Sequence, residues 1–370
     1  MVKFIFILIM SAHGLIHLMG FLKEWKLSEI KELSGKTIIP LSENLSKFIG
    51  AFWLIVCLLF LASGTAYLFK KEWWWMIAVI GIILSQALII LYWQDAKFGT
   101  IANIIILFAC ILSFGTWSFN TSVKIELQSF LPVVNKDKKI IATEMISSLP
   151  PVVQKWIKHS NIIGREIIQT VHLEQRGKMR SAPGSKWMPV NAEQYFTIEK
   201  PGFFWTVDVE AAPFTHLYGR DKYENGRGHM LIKLLSLYTV VDSKGKETDQ
   251  GSMLRYLAEI VWFPSAALGS FISWEQIDSL KARATITFGG ITASGVFSFN
   301  QDGDMVSFEA LRYYDRKEGA ALEDWLILND KDGYKEFEGI RVPAKSTVTW
   351  KLKSGDFTWF KLEIMDIKYN

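Results

Sequence analysis

Four apolar runs fill the first third of this chain and constrain its folding more than any other feature. They are Phe4–Leu22, Phe48–Phe69, Trp73–Trp93 and Gly99–Ser118, each close to the ~20 residues that cross a hydrocarbon core as a helix. The first run, with Lys3 before it and Lys23-Glu24-Trp25-Lys26 after it, has the outline of a signal peptide. No Ala-x-Ala-like cleavage site follows, however, and three more runs come later, so it reads as a retained span. The sequence predicts an all-α four-helix transmembrane module over residues 1–118 and a multi-pass location in the cell membrane. The Trp73-Trp74-Trp75 cluster suits a membrane interface. Four spans return both ends to one side. That side carries Lys3, Lys70, Lys71, Lys124, Lys136, Lys138 and Lys139, and the other carries Lys23, Lys26, Lys31, Lys36, Lys47 and Lys97. The balance is too even for the positive-inside rule to place the soluble part.

Two polar groupings interrupt the module. His13 and His17 are four apart on one helix face, and ionisable groups inside a span are functional candidates. Two imidazoles at that spacing can hold a metal, but no Glu lies between them as a zinc protease requires. The expected role is a helix–helix hydrogen-bonding pair, with no metal. Asp95 and Lys97 follow the third span. They are candidate partners for His17, which lies nearer that bilayer face than His13, or else belong to an interfacial turn.

After residue 118 the composition changes. Residues 119–147 read as a polar linker with a basic run at Lys136-Asp-Lys-Lys139, and 148–370 as a soluble domain. Pro150 to Lys158 predicts a short amphipathic helix with Pro151 in its first turn. From Ile167 the apolar period becomes two. About eleven strands follow, among them Met230–Val241 as one strand, and Ala284/Ile286/Phe288, Val348/Trp350/Leu352 and Phe360/Leu362/Ile364 as alternating rows. Many antiparallel strands with few helices predict a mainly β half-barrel or open barrel. One segment breaks the pattern. Residues 251–268 are apolar, with Met253, Leu257, Ile260 and Val261 at helical spacing, Asp249 or Ser252 as caps, and Pro264 as the stop. A helix of this kind enclosed by a curved sheet predicts an apolar cavity.

Several chemistries are excluded. The formal charge of +4 over 370 residues shows no basic stripe, so no nucleic-acid partner is expected. Cys57 and Cys110, the two cysteines, both fall in apolar runs and read as packing residues. Gly35-Lys36-Thr37 has Ile30 where a phosphate loop needs its first glycine, and no Gly-x-Ser-x-Gly elbow occurs. The histidines His159, His172, His216 and His229 form no metal-spaced cluster, and no cofactor is expected. Arg255 and Glu259 share a helix face as an ion pair. Arg176, Arg220, Arg227 and Arg312 either line a cavity mouth or face solvent.

Longer phrases carry a resemblance. Tyr223-Glu-Asn-Gly-Arg-Gly228, Asp249 through Pro264, Trp274 with Ala282-Arg-Ala-Thr285, Gly295-Val-Phe-Ser-Phe299, Phe308 through Tyr313 and Ile340-Arg-Val-Pro343 resemble an uncharacterised bacterial domain-of-unknown-function family over about residues 148–370. Its strand-rich pattern looks like the LolA/LppX-type lipoprotein-carrier half-barrel, which implies a curved sheet holding acyl chains. The front end, with Ala12-His-Gly-Leu-Ile-His17, resembles small bacterial four-helix membrane modules.

Together these features predict a membrane-anchored binder of lipid or another apolar ligand, held between the sheet and the 251–268 helix. Tyr256, Trp262 and Phe263 are the candidate apolar contacts. Arg255 and Glu259 are the candidate polar ones. The alternatives are an enzyme acting on a membrane-derived substrate, with Arg255 and Glu259 catalytic, or a structural partner-binding membrane protein.

Overall fold

The computed structural model describes residues 2–31, 33–133, 139–213, 215–316 and 319–370. The linker lysines Lys136 and Lys138 lie outside the described residues. Contacts divide the chain into two compact units, residues 1–121 and 122–370.

The first unit is helical. It contains α1 (Val2–Glu24), α2 (Glu43–Leu68), α3 (Trp74–Leu91), the one-turn α4 (Trp93–Ala96) and the start of α5 (Gly99–Phe130). α1, α2, α3 and α5 are long and apolar enough to cross a membrane. Ser42 starts α2 by accepting the Leu45 N–H at 3.4 Å. Between apolar helices, close backbone approach replaces hydrophobic burial as the source of affinity. A Cβ on Gly14 would lie 3.1 Å from Phe60 Cβ, and one on Gly20 only 2.5 Å from the Trp53 ring. Those missing side chains let α1 lie against α2 around Met10, Trp53, Val56 and Phe60. The fourth helix does not stop at Ser118 as expected but continues to Phe130. Its last turns are held inside the second unit, where Glu126 meets Arg220 at 3.2 Å and the Phe130 ring packs on Phe204.

The second unit begins with α6 (Pro151–His159), whose Val152, Val153, Trp156 and Ile157 are buried as its amphipathic pattern requires. Then come β1 (Thr170–Met179), β2 (Met188–Thr197), β3 (Gly202–Ala212), β4 (Thr215–Glu224), β5 (Arg227–Leu234) and β6 (Tyr238–Ser243). α7 (Lys246–Glu259) follows, prolonged by two 3-10 turns, Ile260–Trp262 and Pro264–Leu268. The chain returns through β7 (Ile272–Gln276), β8 (Lys281–Phe288), β9 (Ile291–Phe299), β10 (Met305–Tyr314) and β11 (Ala321–Asn329), then the small hairpin β12 (Tyr334–Phe337) and β13 (Ile340–Pro343). β14 (Lys345–Leu352) and β15 (Gly355–Tyr369) complete it.

Thirteen strands form one antiparallel sheet ordered β6-β5-β4-β3-β2-β1-β15-β14-β11-β10-β9-β8-β7. Two meanders are joined where the last strand pairs with the first, from Val171↔Tyr369 to Met179↔Phe360. The sheet curls until both wings touch one helix: α7 packs on β4 and β5 and also on β8, β9 and β10. Two hairpin tips meet where the sheet curls on itself. A Cβ on Gly226 (φ +79) would sit 2.9 Å from the Cα of Gly289 (φ +59), so backbone lies on backbone there and both turns are left-handed. The result is a 13-strand antiparallel half-barrel wrapped around a helix.

Four expectations need correction. Met230–Val241 is two strands, because Leu235 (φ 52) and Ser236 (φ 61) turn the chain without glycine. The short strands β7, β12 and β13 carry too few residues for an alternation to register. Neither Asp249 nor Ser252 caps the helix, which begins earlier, at Gly245 (φ 114), with no side-chain cap. Asp249 instead accepts the Gly228 N–H at 2.7 Å and Arg227 at 2.9 Å, tying the helix to β5. Nor is Pro264 the stop of the α-helix, which ends at Glu259; Phe263 (φ −142, ψ 72) separates the two 3-10 turns, and Pro264 opens the second.

Candidate functional site

Arg255 and Glu259 are not on a solvent face. Both lie on the side of α7 that faces the sheet interior, and Glu259 is 8% exposed. Arg255 Nε donates to Glu259 Oε1 at 2.8 Å, one terminal nitrogen donates to Asp221 Oδ2 on β4 at 2.9 Å, and the other to Gln194 Oε1 on β2 at 3.2 Å. Gln194 in turn donates to Glu259 Oε2 at 2.8 Å. The Trp205 indole on β3 donates to Gln175 on β1 at 3.0 Å, and the Arg255 guanidinium lies 4.7 Å and 4.8 Å from the Phe203 and Trp205 ring centres. Burial pushes the Asp221 and Glu259 carboxyls up, with Arg255 opposing it. Burial works against the Arg255 charge too, but Glu259 and Asp221 more than restore it. Buried charges persist when paired and hydrogen-bonded, and this pair is both.

A second cation sits beside that network with different partners. Arg312 on β10 lies 4.6 Å from the Trp325 ring centre and 5.8 Å from that of Trp350. Its Nε is buried with no hydrogen-bond partner, and no described carboxylate forms an ion pair with it. Burial, and then the neighbouring Arg255, lower its guanidinium to about 10, with Asp221 and Glu259 opposing them. α7 comes close because of Gly251, where a Cβ would be 3.4 Å from Arg312 Nε. The other arginines divide differently: Arg220 is buried against Glu126 and the His229 carbonyl, Arg227 pairs with Asp249, and Arg176 is exposed on the outer face.

The inward rows continue along one set of strand ends, the ends of β1, β5, β10 and β14 and the starts of β2 and β4. Met179, Met188, Leu217, Leu234, Tyr314 and Leu352 are half-buried there. Register puts them side by side through Met179↔Met188, Leu217↔Leu234 and the Arg312↔Glu323 and Tyr314↔Ala321 rungs. Arg312 stands in this row opposite Glu323, whose carboxylate pairs with Arg316.

The three apolar candidates on the 251–268 segment fill space rather than line it. Tyr256 is fully buried, with its hydroxyl toward the Thr197 carbonyl at 3.3 Å. The Phe263 ring centre is 4.4 Å from that of Phe196. Trp262 Nε1 donates to the Pro343 carbonyl at 3.0 Å, while the Trp262 carbonyl accepts from the Tyr369 hydroxyl at 2.8 Å. At these positions the space between helix and sheet is occupied by the protein's own side chains.

In the helical unit, His13 and His17 are buried and turned inward. His17 Nδ1–H donates to the His13 carbonyl at 2.8 Å, and its Nε2 pairs with Ser85 Oγ at 2.8 Å. His13 Nε2 meets Asn103 Oδ1 at 2.9 Å. Asp95 and Lys97 are not their partners. The Asp95 carboxylate accepts from Ser34 N at 3.1 Å, Ser34 Oγ at 2.8 Å and Gly35 N at 2.8 Å, an anchor for the α1–α2 loop. Lys97 Nζ lies 5.4 Å from the Phe98 ring centre. Among the described residues no group of three or more His, Cys, Asp and Glu side chains comes together as a metal site.

A model described as a family of unknown function, DUF6544, matches residues 139–362. No curated protein matches the chain. Among solved structures, a domain from Vibrio parahaemolyticus named for outer membrane lipoprotein sorting is 9% identical, covers 59% of this chain and 91% of its own, and has a TM-score of 0.32. A DUF1329 family protein from Desulfovibrio piger ATCC 29098 is 8% identical, covers 63% and 94%, and has a TM-score of 0.31.

Proposed function

We propose that this chain, which belongs to the DUF6544 family of unknown function, is a membrane-anchored protein whose half-barrel binds an acidic lipid. The observation that carries the reading is Arg312: a cation set over Trp325 and Trp350 on the inward face of β10, with no carboxylate within ion-pair distance among the described residues. Pockets for small molecules are mostly apolar, with a few placed polar groups that orient the ligand. The half-buried Met179, Met188, Leu217 and Leu352 offer the apolar part. Arg312 offers the fork that a carboxylate or phosphate accepts in two parallel hydrogen bonds. Arg255, Asp221, Glu259 and Gln194 complete one another and fix α7 against β2 and β4. Tyr256, Trp262 and Phe263 weld the same helix to the sheet. The four apolar helices supply the anchor and keep the half-barrel beside its lipid source.

The test uses full-length protein in detergent and cis-parinaric acid, displaced by oleate. We expect saturable binding that Arg312→Gln weakens at least tenfold, equivalent to about 1.4 kcal/mol. Absence of saturable binding, or equal affinity in the variant, rejects the site. Retention in the pellet after alkaline carbonate extraction is the matching test of the anchor.

One observation favours an enzyme instead. Asp221 and Glu259 are internal carboxyls whose burial raises them, next to two arginines, and perturbed groups cluster at catalytic sites. Against it, both Glu259 oxygens already accept hydrogen bonds, from Arg255 and Gln194. Asp221 Oδ1, buried without a partner, is the group that reading would have to use. Turnover of an ester or phosphodiester lipid that is lost in Asp221→Asn would establish it.

A further inference from the structure

The helical unit encloses a cavity of about 450 Å³, within its own helices and separate from the half-barrel. Ligand pockets run from roughly 300 to 1,000 Å³. Apolar surface comes from Ile16, Trp53, Ile89 and Phe98. Ile16 is 60% exposed and Phe98 74%, so they form a rim, and the cavity opens sideways on the apolar face of the helices. The charges at its end are engaged. Lys23 donates to the Leu33 carbonyl and Asp95 holds Ser34 and Gly35, which ties the α1–α2 loop across that end.

Among the described lining residues, Trp53 Nε1 and the Tyr92 hydroxyl are sealed without a partner, and a further polar atom, on His13, is unengaged without being sealed. The Asn103 amide nitrogen donates to Ser85 Oγ at 3.0 Å and Gln86 Oε1 at 3.1 Å. That fixes its oxygen as the acceptor and His13 Nε2, 2.9 Å away, as the N–H donor. In a neutral ring with its proton on Nε2, Nδ1 is an acceptor. No described residue donates to it, and it is not among the sealed, partnerless atoms of the interior. The ring lines the cavity and is otherwise buried at 4% exposure. His17 lines it too, but both of its nitrogens are used. The cavity therefore has aromatic walls, a lateral opening and, among the described residues, an accessible acceptor on His13 for a ligand that brings a donor.

We propose that this cavity is a second ligand site, for a hydrophobic molecule with a phenolic head group. Its O–H donates to His13 Nδ1, its ring packs between Trp53 and Phe98, and its hydrocarbon leaves through the Ile16 rim. The proposal rests on reading the four helices as membrane spans and is independent of the half-barrel site.

The test is photolabelling of the full-length protein in lipid nanodiscs with a diazirine-bearing 4-nonylphenol, competed by 4-nonylphenol or by its methyl ether. We expect labelled peptides covering residues 12–20 and 98–102, with the phenol competing at least tenfold better than the ether. His13→Phe keeps a ring but no acceptor, so it erases that difference. Ala102→Phe, which fills the cavity, abolishes the labelling. Equal competition by phenol and ether in the wild type overturns the proposal. So does labelling that survives Ala102→Phe in a monodisperse variant. If Ala102→Phe does not fold, the wild-type comparison decides alone. The readout is confined to helix peptides, so a loss of oleate binding at the half-barrel leaves it intact and the two readings fail separately.

Discussion

Replacing Arg255 by Met removes the hub of the internal network while keeping most of its packing volume. Three partners lose a donor at once: Glu259 at 2.8 Å, Asp221 at 2.9 Å and Gln194 at 3.2 Å. The side chains involved are nearly sealed, with exposures of 14% for Arg255, 4% for Asp221 and 10% for Glu259, so solvent does little to screen the loss. Removing one member of such a pair costs about 3–5 kcal/mol, because an uncompensated buried charge is left behind. For a unit of this size each kcal/mol moves Tm by roughly 2–4 °C, giving a drop of ~6–20 °C for the half-barrel transition. The loss also carries a pH signature. Burial already holds the Asp221 and Glu259 carboxyls above their ordinary values, and Arg255 opposes this. Without Arg255 they rise further. A carboxyl raised in the folded state contributes stability below its unfolded value, near pH 4, and loses it as pH climbs through the folded value. The deficit of Arg255→Met should therefore deepen from pH 5 to pH 8. Adding Asp221→Asn and Glu259→Gln should recover most of it, since a neutral set needs no counter-charge. The assay is hydrogen exchange of β2 and β4 amides in the full-length protein, which reads the half-barrel without interference from the helices. A deficit under about 1 kcal/mol, or one that does not change with pH, would refute the claim that these charges are internal.

Two further outcomes follow from the hairpin contact and the helix seam. Gly226→Ala should destabilise the half-barrel more than Gly290→Ala. Both have φ +79, but only at Gly226 would a Cβ strike backbone, 2.9 Å from Gly289 Cα, whereas Gly290 has open space. The Gly290 change carries the left-handed strain alone, ~1 kcal/mol, and equal melting shifts for the two would mean the hairpin tips do not touch. Trp262→Ala should cost ~3–5 kcal/mol, because the indole is 4% exposed and donates to Pro343. A melt equal to wild type would place it outside the core.

The sequence made the two classes of architecture legible for a physical reason. A run of about 20 apolar residues and a period of two are both local signals, and rows such as Val348/Trp350/Leu352 announce their own inward face. The failures came where local chemistry is silent. Leu235 and Ser236 turn the chain in the left-handed region without the Gly or Asn that marks such a turn. Asp249 has the right type and place for a cap, yet its partner is a β5 amide, and nothing within the helix reveals that. Arg255 and Glu259 at i and i+4 read alike whether they face water or a sheet. What decides is Asp221, 34 residues before, and Gln194, 61 before, positions that only the fold brings together. The His13–Asn103 pair spans 90 residues and is hidden in the same way. Arg312 is the instructive case, because its signal was present. In β10, Phe308, Ala310, Arg312 and Tyr314 occupy one face, so a cation stands in a row otherwise apolar. A solvated arginine belongs on the opposite face with Glu309 and Leu311, both exposed. A charge that breaks an inward row must either be paired by the fold or be kept for a ligand. Arg255 meets the first condition through Asp221 and Glu259. Arg312 lacks that pairing among the described residues, which is why the binding reading rests on it and not on the helix pair.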